Sequence, residues 1–337
     1  MNQALLPLAF LLALVLSLYF TPVARQAALR FGIVDRPDGR LKHQPEPVPY
    51  LGGLAVFLAY LIALGLVFAF NPLLLGLLLA GTLTLLVGLV DDFGVLTPAA
   101  KLIGEGVAVF VLLRSGAVIE LGEVPEVLRW PLAAVWLLGV CNAFNLLDVM
   151  DGLAASVGAV AALAFGVMGV ANGELPEAAA SFALAGGLIG FLVFNVHPAR
   201  IYLGDAGSLA VGITLGALAL ALRWSDRSAA GFLAPLAILA LPLADTVFVT
   251  LLRARAGKPF WHGSPDHVAL RLAKLAGGNV RVTLGVCLAL VVVGAVVGLG
   301  TALLWQWQVG ITALGAYALA VVVLLVRLAR VPMETPQ

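Results

Sequence analysis

Apolar residues recur along this chain in long runs, at 4–20, 51–70, 72–90, 99–113, 131–147, 153–171, 179–196, 208–222, 229–252, 282–305 and 309–326, separated by shorter polar stretches. Most of these runs reach the roughly 20 residues that an α-helix needs to cross a hydrocarbon core about 30 Å thick. The pattern predicts an all-α, polytopic membrane helix bundle of about eleven transmembrane helices. The first run lacks a basic leading segment and a small-residue cleavage site, so it reads as a retained helix and not as a removed signal peptide.

Composition agrees and excludes a soluble domain. Of 337 residues, 62% are hydrophobic and 11% are charged, whereas soluble domains carry about 25% charged residues. The net charge of +1 gives no argument for nucleic acid. Cys141 and Cys287 fall inside predicted helices and read as small buried apolar residues. No repeat of fixed period and no low-complexity linker divides the chain, so residues 1–337 form one membrane domain.

The distribution of the 19 Lys and Arg residues orients the bundle. One side holds Arg25, Arg30, Arg36, Arg40, Lys42, Lys101, Arg200, Arg253, Arg255, Lys258, Arg271, Lys274, Arg281, Arg327 and Arg330; the other holds only Arg114, Arg129, Arg223 and Arg227. Basic residues accumulate on the cytoplasmic side, which puts the N terminus outside and the C terminus inside. The longer inner loops, about 22–50, 91–98, 148–152, 197–208 and 253–281, also carry His43, His197, His262, His267 and most aspartates.

Carboxylates at membrane depth are costly and mark function. Asp91, Asp92, Asp148, Asp151, Asp205 and Asp245 come from separate parts of the chain, yet all lie near the inner ends of predicted helices. Held together in low dielectric they would repel one another and take up protons unless a cation were present. All-oxygen donors with phosphate as co-ligand point to Mg²⁺, with Mn²⁺ as substitute. Asn142, Asn145, Asp148 and Asp151 recur every three residues; the first three stay within a sector of about 120° on a helix and the fourth drifts away.

The segment NVHPARIYLGDAGS, residues 195–208, is the second unusual feature. Pro198 is expected to end the seventh helix, Gly204 and Gly207 to permit close approach to a ligand, and Ser208 to cap the eighth helix. Two basic loops follow the same logic. Residues 34–53 carry Arg36, Arg40, Lys42 and His43 on a proline-stiffened track, which equally suits an anchor for anionic lipid. Residues 253–274 combine five Lys or Arg with His262, His267, Phe260 and Trp261, either as a lipid-surface loop or with the aromatics stacking a nucleobase while His267 meets a phosphate.

Five ordered motifs, VDRPDGRLKH with a later GG, VGLVDDFG, NAFNLLDVMDGL, FNVHPARIYLGDAGS and GKPFWHGSPDHVALRL, resemble those of the polyprenyl-phosphate N-acetylhexosamine-1-phosphate transferases. That family includes bacterial enzymes that start O-antigen, enterobacterial common antigen and teichoic acid synthesis, and phospho-MurNAc-pentapeptide translocase. The resemblance runs from about Val34 to Leu272. It implies Mg²⁺-dependent exchange of phosphate linkages in the bacterial inner membrane. A UDP-N-acetylhexosamine and undecaprenyl phosphate give UMP and undecaprenyl-diphosphate-sugar, at the start of a cell-surface polysaccharide pathway.

Carried over to this sequence, the resemblance makes Asp205 the principal metal ligand, with Asp91 and Asp151 beside it. Asp91 and Asp92 match the paired aspartates, and Asp91 would deprotonate or position the lipid phosphate. Asn145, Asp148 and Asp151 belong to the nucleotide and metal neighbourhood, and His267 lies near the diphosphate. Arg40, Lys42, His43, Asn142, Asn195, Arg200, Gly204, Ser208 and His262 complete the expected substrate contacts. Direct attack by the lipid phosphate and a covalent aspartyl intermediate both remain open, as does a homodimer.

Departures narrow the donor. The first loop reads Arg40-Leu41-Lys42 before its histidine, and Leu270 stands where relatives tend to have another histidine. The absence of a triple histidine and the eleven apolar runs argue against the MurNAc-pentapeptide branch, leaving UDP-GlcNAc as the expected donor. A transporter or flippase would place its charges near the midplane in matching halves; here they gather at one face. Asp245, about five positions inside its helix, suits helix packing and catalysis equally.

Overall fold

The computed structural model of the chain describes residues 3–35, 46–67, 71–119, 124–257 and 264–333. Thirteen α-helices account for most of them: α1 Leu5–Phe31, α2 Gly52–Val67, α3 Pro72–Asp92, α4 Pro98–Arg114, α5 Glu126–Leu147, α6 Leu153–Asn172, α7 Leu175–Asn195, α8 Gly204–Ala221, α9 Ala234–Ile238, α10 Ala240–Arg255, α11 Val268–Leu275, α12 Val280–Leu303 and α13 Trp307–Ala329. Each of the eleven apolar runs falls on one of these helices or, for 229–252, on the α9–α10 pair. The fold is thus the all-α polytopic bundle that the pattern predicts.

Eight helices are individually long and apolar enough to cross a membrane, and the bent α9–α10 pair makes up to nine. The other two runs form shorter helices, α2 with 16 residues and α4 with 17. Two boundaries differ from expectation. α1 continues to Phe31 and ends at Gly32, whose φ of 70° suits a residue without Cβ. Arg25 and Arg30 therefore ride on a helix about 40 Å long, whose last turns project beyond the hydrocarbon, instead of lying in a loop. The ninth run bends by 66° between α9 and α10. Pro242 has no N–H to offer the carbonyl of Ile238, so the hydrogen-bond ladder is interrupted at the break.

α8 is the axis of the site. It packs against α3 and α5 and also touches α2, α6 and α7, while α1 crosses α7 and α2 on one flank, and α12 packs on α9, α6 and α13 on the other. Small residues permit these close crossings, as is general for helices that meet without a hydrophobic driving force. At the α2–α8 crossing Gly53 and Gly207 stand backbone to backbone, leaving no room for a Cβ on either. α13 is almost entirely exposed along its span, as a peripheral lipid-facing helix would be.

A short backbone zipper ties the two ends of the α1–α2 connection to this axis. Strand β1, Val34–Asp35, pairs antiparallel with β2, Val48–Pro49. Tyr202 N–H donates to Pro49 O at 2.8 Å, Gly52 N–H to Tyr202 O at 3.0 Å and Gly53 N–H to Leu203 O at 2.8 Å. Both ends of the loop are thereby held beside the segment that precedes Asp205. Replacing Gly207 with Leu should force α2 and α8 apart and destabilise the fold by about 1–3 kcal/mol or more. Thermal unfolding in detergent reads this as a lowered Tm; an unchanged Tm would mean that the helices do not meet there.

Candidate active site

Of the aspartates singled out from the sequence, Asp91, Asp92, Asp148 and Asp205 converge at the start of α8, whereas Asp151 and Asp245 pair with histidines elsewhere. Asp91 and Asp92 close α3, Lys101 stands one turn into α4, Asn145 lies near the end of α5, and Asp205 occupies the first turn of α8. The Lys101 Nζ is 2.7 Å from Asp91 Oδ2 and 2.9 Å from Asp205 Oδ2, and it donates to Asn145 Oδ1 at 2.9 Å. Asn145 turns its amide nitrogen to Asp205 Oδ1 at 2.8 Å and to Ser208 Oγ at 3.0 Å. Four helices are joined through one ammonium and one amide.

Asp92 has a different task. Its oxygens accept the backbone N–H groups of Asp205 at 2.8 Å and Ala206 at 3.2 Å, so it caps the start of α8 from α3. The cap works because Gly204 adopts φ 75° and brings those amides against the carboxylate; a Cβ there would clash with Asp92 and with Tyr50 O. This corrects one expectation: Ser208 does not cap the eighth helix, which starts four residues earlier, and its hydroxyl donates back to Gly204 O at 3.0 Å.

The asparagine–aspartate stripe divides as its period requires. Asn142 donates to Glu105 Oε2 on α4 at 2.5 Å and to Leu138 O at 3.0 Å. Asp148, just beyond α5, accepts from the Gly204 N–H; burial, reinforced by the charges of Asp205 and Asp92, pushes its carboxyl up to about 8. At neutral pH without a further cation it therefore holds a proton. Asp151, the fourth of the series, turns aside: its Oδ2 meets His197 Nδ1 at 2.7 Å and accepts the Ala199 N–H at 3.0 Å. Beside it Asn195 receives the Gly152 N–H at 3.1 Å and donates to Ile201 O at 2.9 Å.

Asn195 and Asp151 thus hold the 195–203 segment in place at the start of α6 and the end of α7. Arg200 lies on that segment, with its guanidinium 5.9 Å from the centre of the Phe194 ring, and its carbonyl receives Arg25 Nε at 3.1 Å. In the last loop His267 is the N-cap residue of α11, and its Nδ1 is 2.7 Å from Asp245 Oδ2. Arg40, Lys42, His43 and His262, with Phe260 and Trp261, lie outside the described residues.

Two side chains at the heart of this arrangement were not among the residues picked from the sequence. Lys101 was assigned only to an inner surface and Glu105 not at all, yet both interrupt an apolar run. The membrane-depth rule that singled out the aspartates applies equally to a lysine and a glutamate. A cation would suit the donor set, because every group aimed at the Lys101 ammonium is a carboxylate or amide oxygen. Among the described residues no three His, Cys, Asp or Glu side chains are grouped so as to hold a metal ion by themselves.

Fold and site together define a polytopic integral-membrane protein with a cluster of carboxylates around one lysine at one end of its bundle. Comparison with known proteins makes the assignment specific. The model of the glycosyl transferase family 4 matches residues 74–223, the stretch from α3 through α8. The chain is 30% identical over 317 residues to the decaprenyl-phosphate N-acetylglucosaminephosphotransferase of Mycolicibacterium smegmatis, covering 83% of this chain and 78% of that protein. It is 29% identical over 274 residues to a Bacillus subtilis protein named a probable undecaprenyl-phosphate N-acetylglucosaminyl 1-phosphate transferase, covering 78% and 76%. Over a shorter 240 residues, 63% of this chain and 72% of the relative, it is 36% identical to the phospho-N-acetylmuramoyl-pentapeptide-transferase of Halalkalibacterium halodurans.

The chain belongs to glycosyl transferase family 4. It is a membrane-embedded sugar-phosphate transferase. In such an enzyme the Lys101→Met variant keeps the length of the side chain and loses its charge. Its kcat should fall on the order of 100-fold or more, as when a preorganised electrostatic group is removed, while the purified protein still elutes as a folded species. Wild-type turnover in Lys101→Met would show that the ammonium has no part in the reaction.

Proposed function

We propose that the protein transfers N-acetylglucosamine 1-phosphate from UDP-N-acetylglucosamine to undecaprenyl phosphate at the cytoplasmic face of the bacterial inner membrane, releasing UMP. The lipid phosphate oxygen forms a new bond to the sugar-bearing phosphorus as the bond to the UMP oxygen breaks, leaving a diphosphate between lipid and sugar. The observation that carries this reading is the Asp91–Lys101–Asp205–Asn145 cluster. It gathers charge suited to two phosphates and a cation at one membrane level. The two relatives named for polyprenyl-phosphate N-acetylglucosamine phosphotransfer, aligned over about four fifths of this chain, support the choice of substrates.

Mg²⁺ would be held by Asp205 and Asp91, and when bound it supplies charge neutralisation for the phosphates; Asp151, expected as a third ligand, is instead engaged by His197 Nδ1 and the Ala199 N–H. The protein's own part is positional and electrostatic, since phosphoryl transfer asks little covalent work of it. Asp91 positions or deprotonates the lipid phosphate. Lys101 meets phosphate charge and stops Asp91 and Asp205 from repelling each other. Asp92 sets the start of α8 and so the place of Asp205. Asn142, Asn145, Asp148, Asn195, Gly204 and Ser208 shape the nucleotide side, Arg200 adds charge from the 195–203 segment, Arg40, Lys42, His43 and His262 supply further substrate contacts, and His267 meets the diphosphate.

The purified protein, given Mg²⁺, undecaprenyl phosphate and radiolabelled UDP-N-acetylglucosamine, should form a chloroform-soluble product and release UMP, and EDTA should stop it. Asp205→Asn should lose nearly all activity while remaining folded. Product formed from no UDP-N-acetylhexosamine in a donor panel would overturn the substrate reading. Orientation is tested separately, because both native cysteines are buried. Ser225→Cys, on the exposed turn after α8 at the end remote from Asp205, should react with a membrane-impermeant maleimide in intact cells; protection there and labelling only in inverted vesicles would reverse the assignment.

A further inference from the structure

Asp245 is a carboxylate at membrane depth that the chemistry above does not use. It lies on α10, is 1% exposed, and is coupled at both oxygens to the start of α11. Oδ2 is 2.7 Å from His267 Nδ1, and Oδ1 accepts the Val268 N–H at 2.6 Å. A buried carboxylate is retained at such a cost only where it is fully hydrogen-bonded, and here both partners belong to the last inner loop. A carboxylate at this distance engages Nδ1 and turns Nε2 away from Asp245. Among the described residues Nε2 makes no hydrogen bond.

The rest of the loop is fastened with equal care. Arg271, one turn further along α11, donates to Asp266 Oδ1 at 2.5 Å and to Leu328 O and Val331 O at the end of α13, at 2.8 and 2.7 Å. Asp266 also accepts from the Ser264 hydroxyl at 2.8 Å; against the effect of burial, Ser264 and Arg271 hold its carboxyl below the usual range. Lys274 reaches Pro332 O at 2.6 Å. These bonds hold the backbone of α11 without touching the imidazole. Among the described residues it is Asp245 that acts on both, capping the helix and fixing the orientation of the ring.

We propose that Asp245 is a positioning residue for the transfer reaction, acting through His267: with Nδ1–H held by the carboxylate, the ring in its protonated form is oriented to donate Nε2–H to a phosphate oxygen. The inference rests on the reading that places His267 at the diphosphate. A carboxylate that orients a histidine typically contributes 10–100-fold to activity.

The test is a double-mutant cycle on the full-length enzyme in detergent, with kcat and the KM for UDP-N-acetylglucosamine measured for wild type, Asp245→Asn, His267→Ala and the double variant. Asp245→Asn should lower kcat on the order of 10–100-fold and leave KM within about threefold. His267→Ala should cost at least as much, and in its background Asp245→Asn should cost less than a further factor of about three. Multiplicative losses would make Asp245 a structural pin for α11 and overturn the inference, as would wild-type kcat in Asp245→Asn beside an impaired His267→Ala. Wild-type activity in His267→Ala would instead remove His267 from the reaction, and the inference with it. If Asp245→Asn fails to fold, Asp245→Glu goes through the same cycle with the same criterion.

Discussion

Carboxylates gathered at the end of a lipid-embedded bundle repel one another, and the Lys101 ammonium is the charge around which α3, α4, α5 and α8 close. It contacts Asp91, Asp205 and Asn145 within 2.9 Å. Without it, Asp91 and Asp205 would face each other across a space of low dielectric, where separation or protonation costs less than coexistence. The lysine thus reconciles a stable bundle with carboxylates held close together. Asp148, which has no such partner among the described residues, shows the alternative: burial and the neighbouring Asp205 and Asp92 raise its carboxyl to about 8.

The geometry around that charge is set by backbone. Asp92 caps the amides of Asp205 and Ala206, and the zipper between residues 49–53 and 202–203 carries the base of the first loop to the same place. Asp151 and Asn195 anchor the intervening segment. Three loops far apart in sequence therefore end beside one helix terminus, and small residues such as Gly53 and Gly207 let that helix be approached closely. The last loop follows the same scheme, with Asp245 on α10 capping α11 and holding His267.

Much of this was legible in the residues, though unevenly. Apolar periodicity located all eleven helical runs because a lipid-spanning helix must satisfy its own backbone, which makes span length a local property. It did not foresee the break at Leu239, which depends on Pro242 lacking one N–H, nor the extension of α1 past the hydrocarbon, where helix continuation needs no apolar signal. The three-residue recurrence from Asn142 to Asp151 foretold a polar stripe and the departure of its last member. Ser208 was misplaced as a cap because the left-handed Gly204 starts α8 a turn earlier.

What the sequence by itself determined is the set of helices, the presence of costly carboxylates near their ends and, through its motifs, the family. Those follow from local hydropathy, the price of burying charge and residue identity. Which carboxylates meet is a different kind of fact. That Asp91 and Asp205 share Lys101, that Asp151 faces His197 and that Asp245 faces His267 depend on how helices rotate and cross, and those angles are decided by packing among residues tens to hundreds of positions apart. Lys101 and Glu105 were visible as charges in an apolar run; only tertiary structure could supply their partners, because an ion pair across helices leaves no periodic trace in either one.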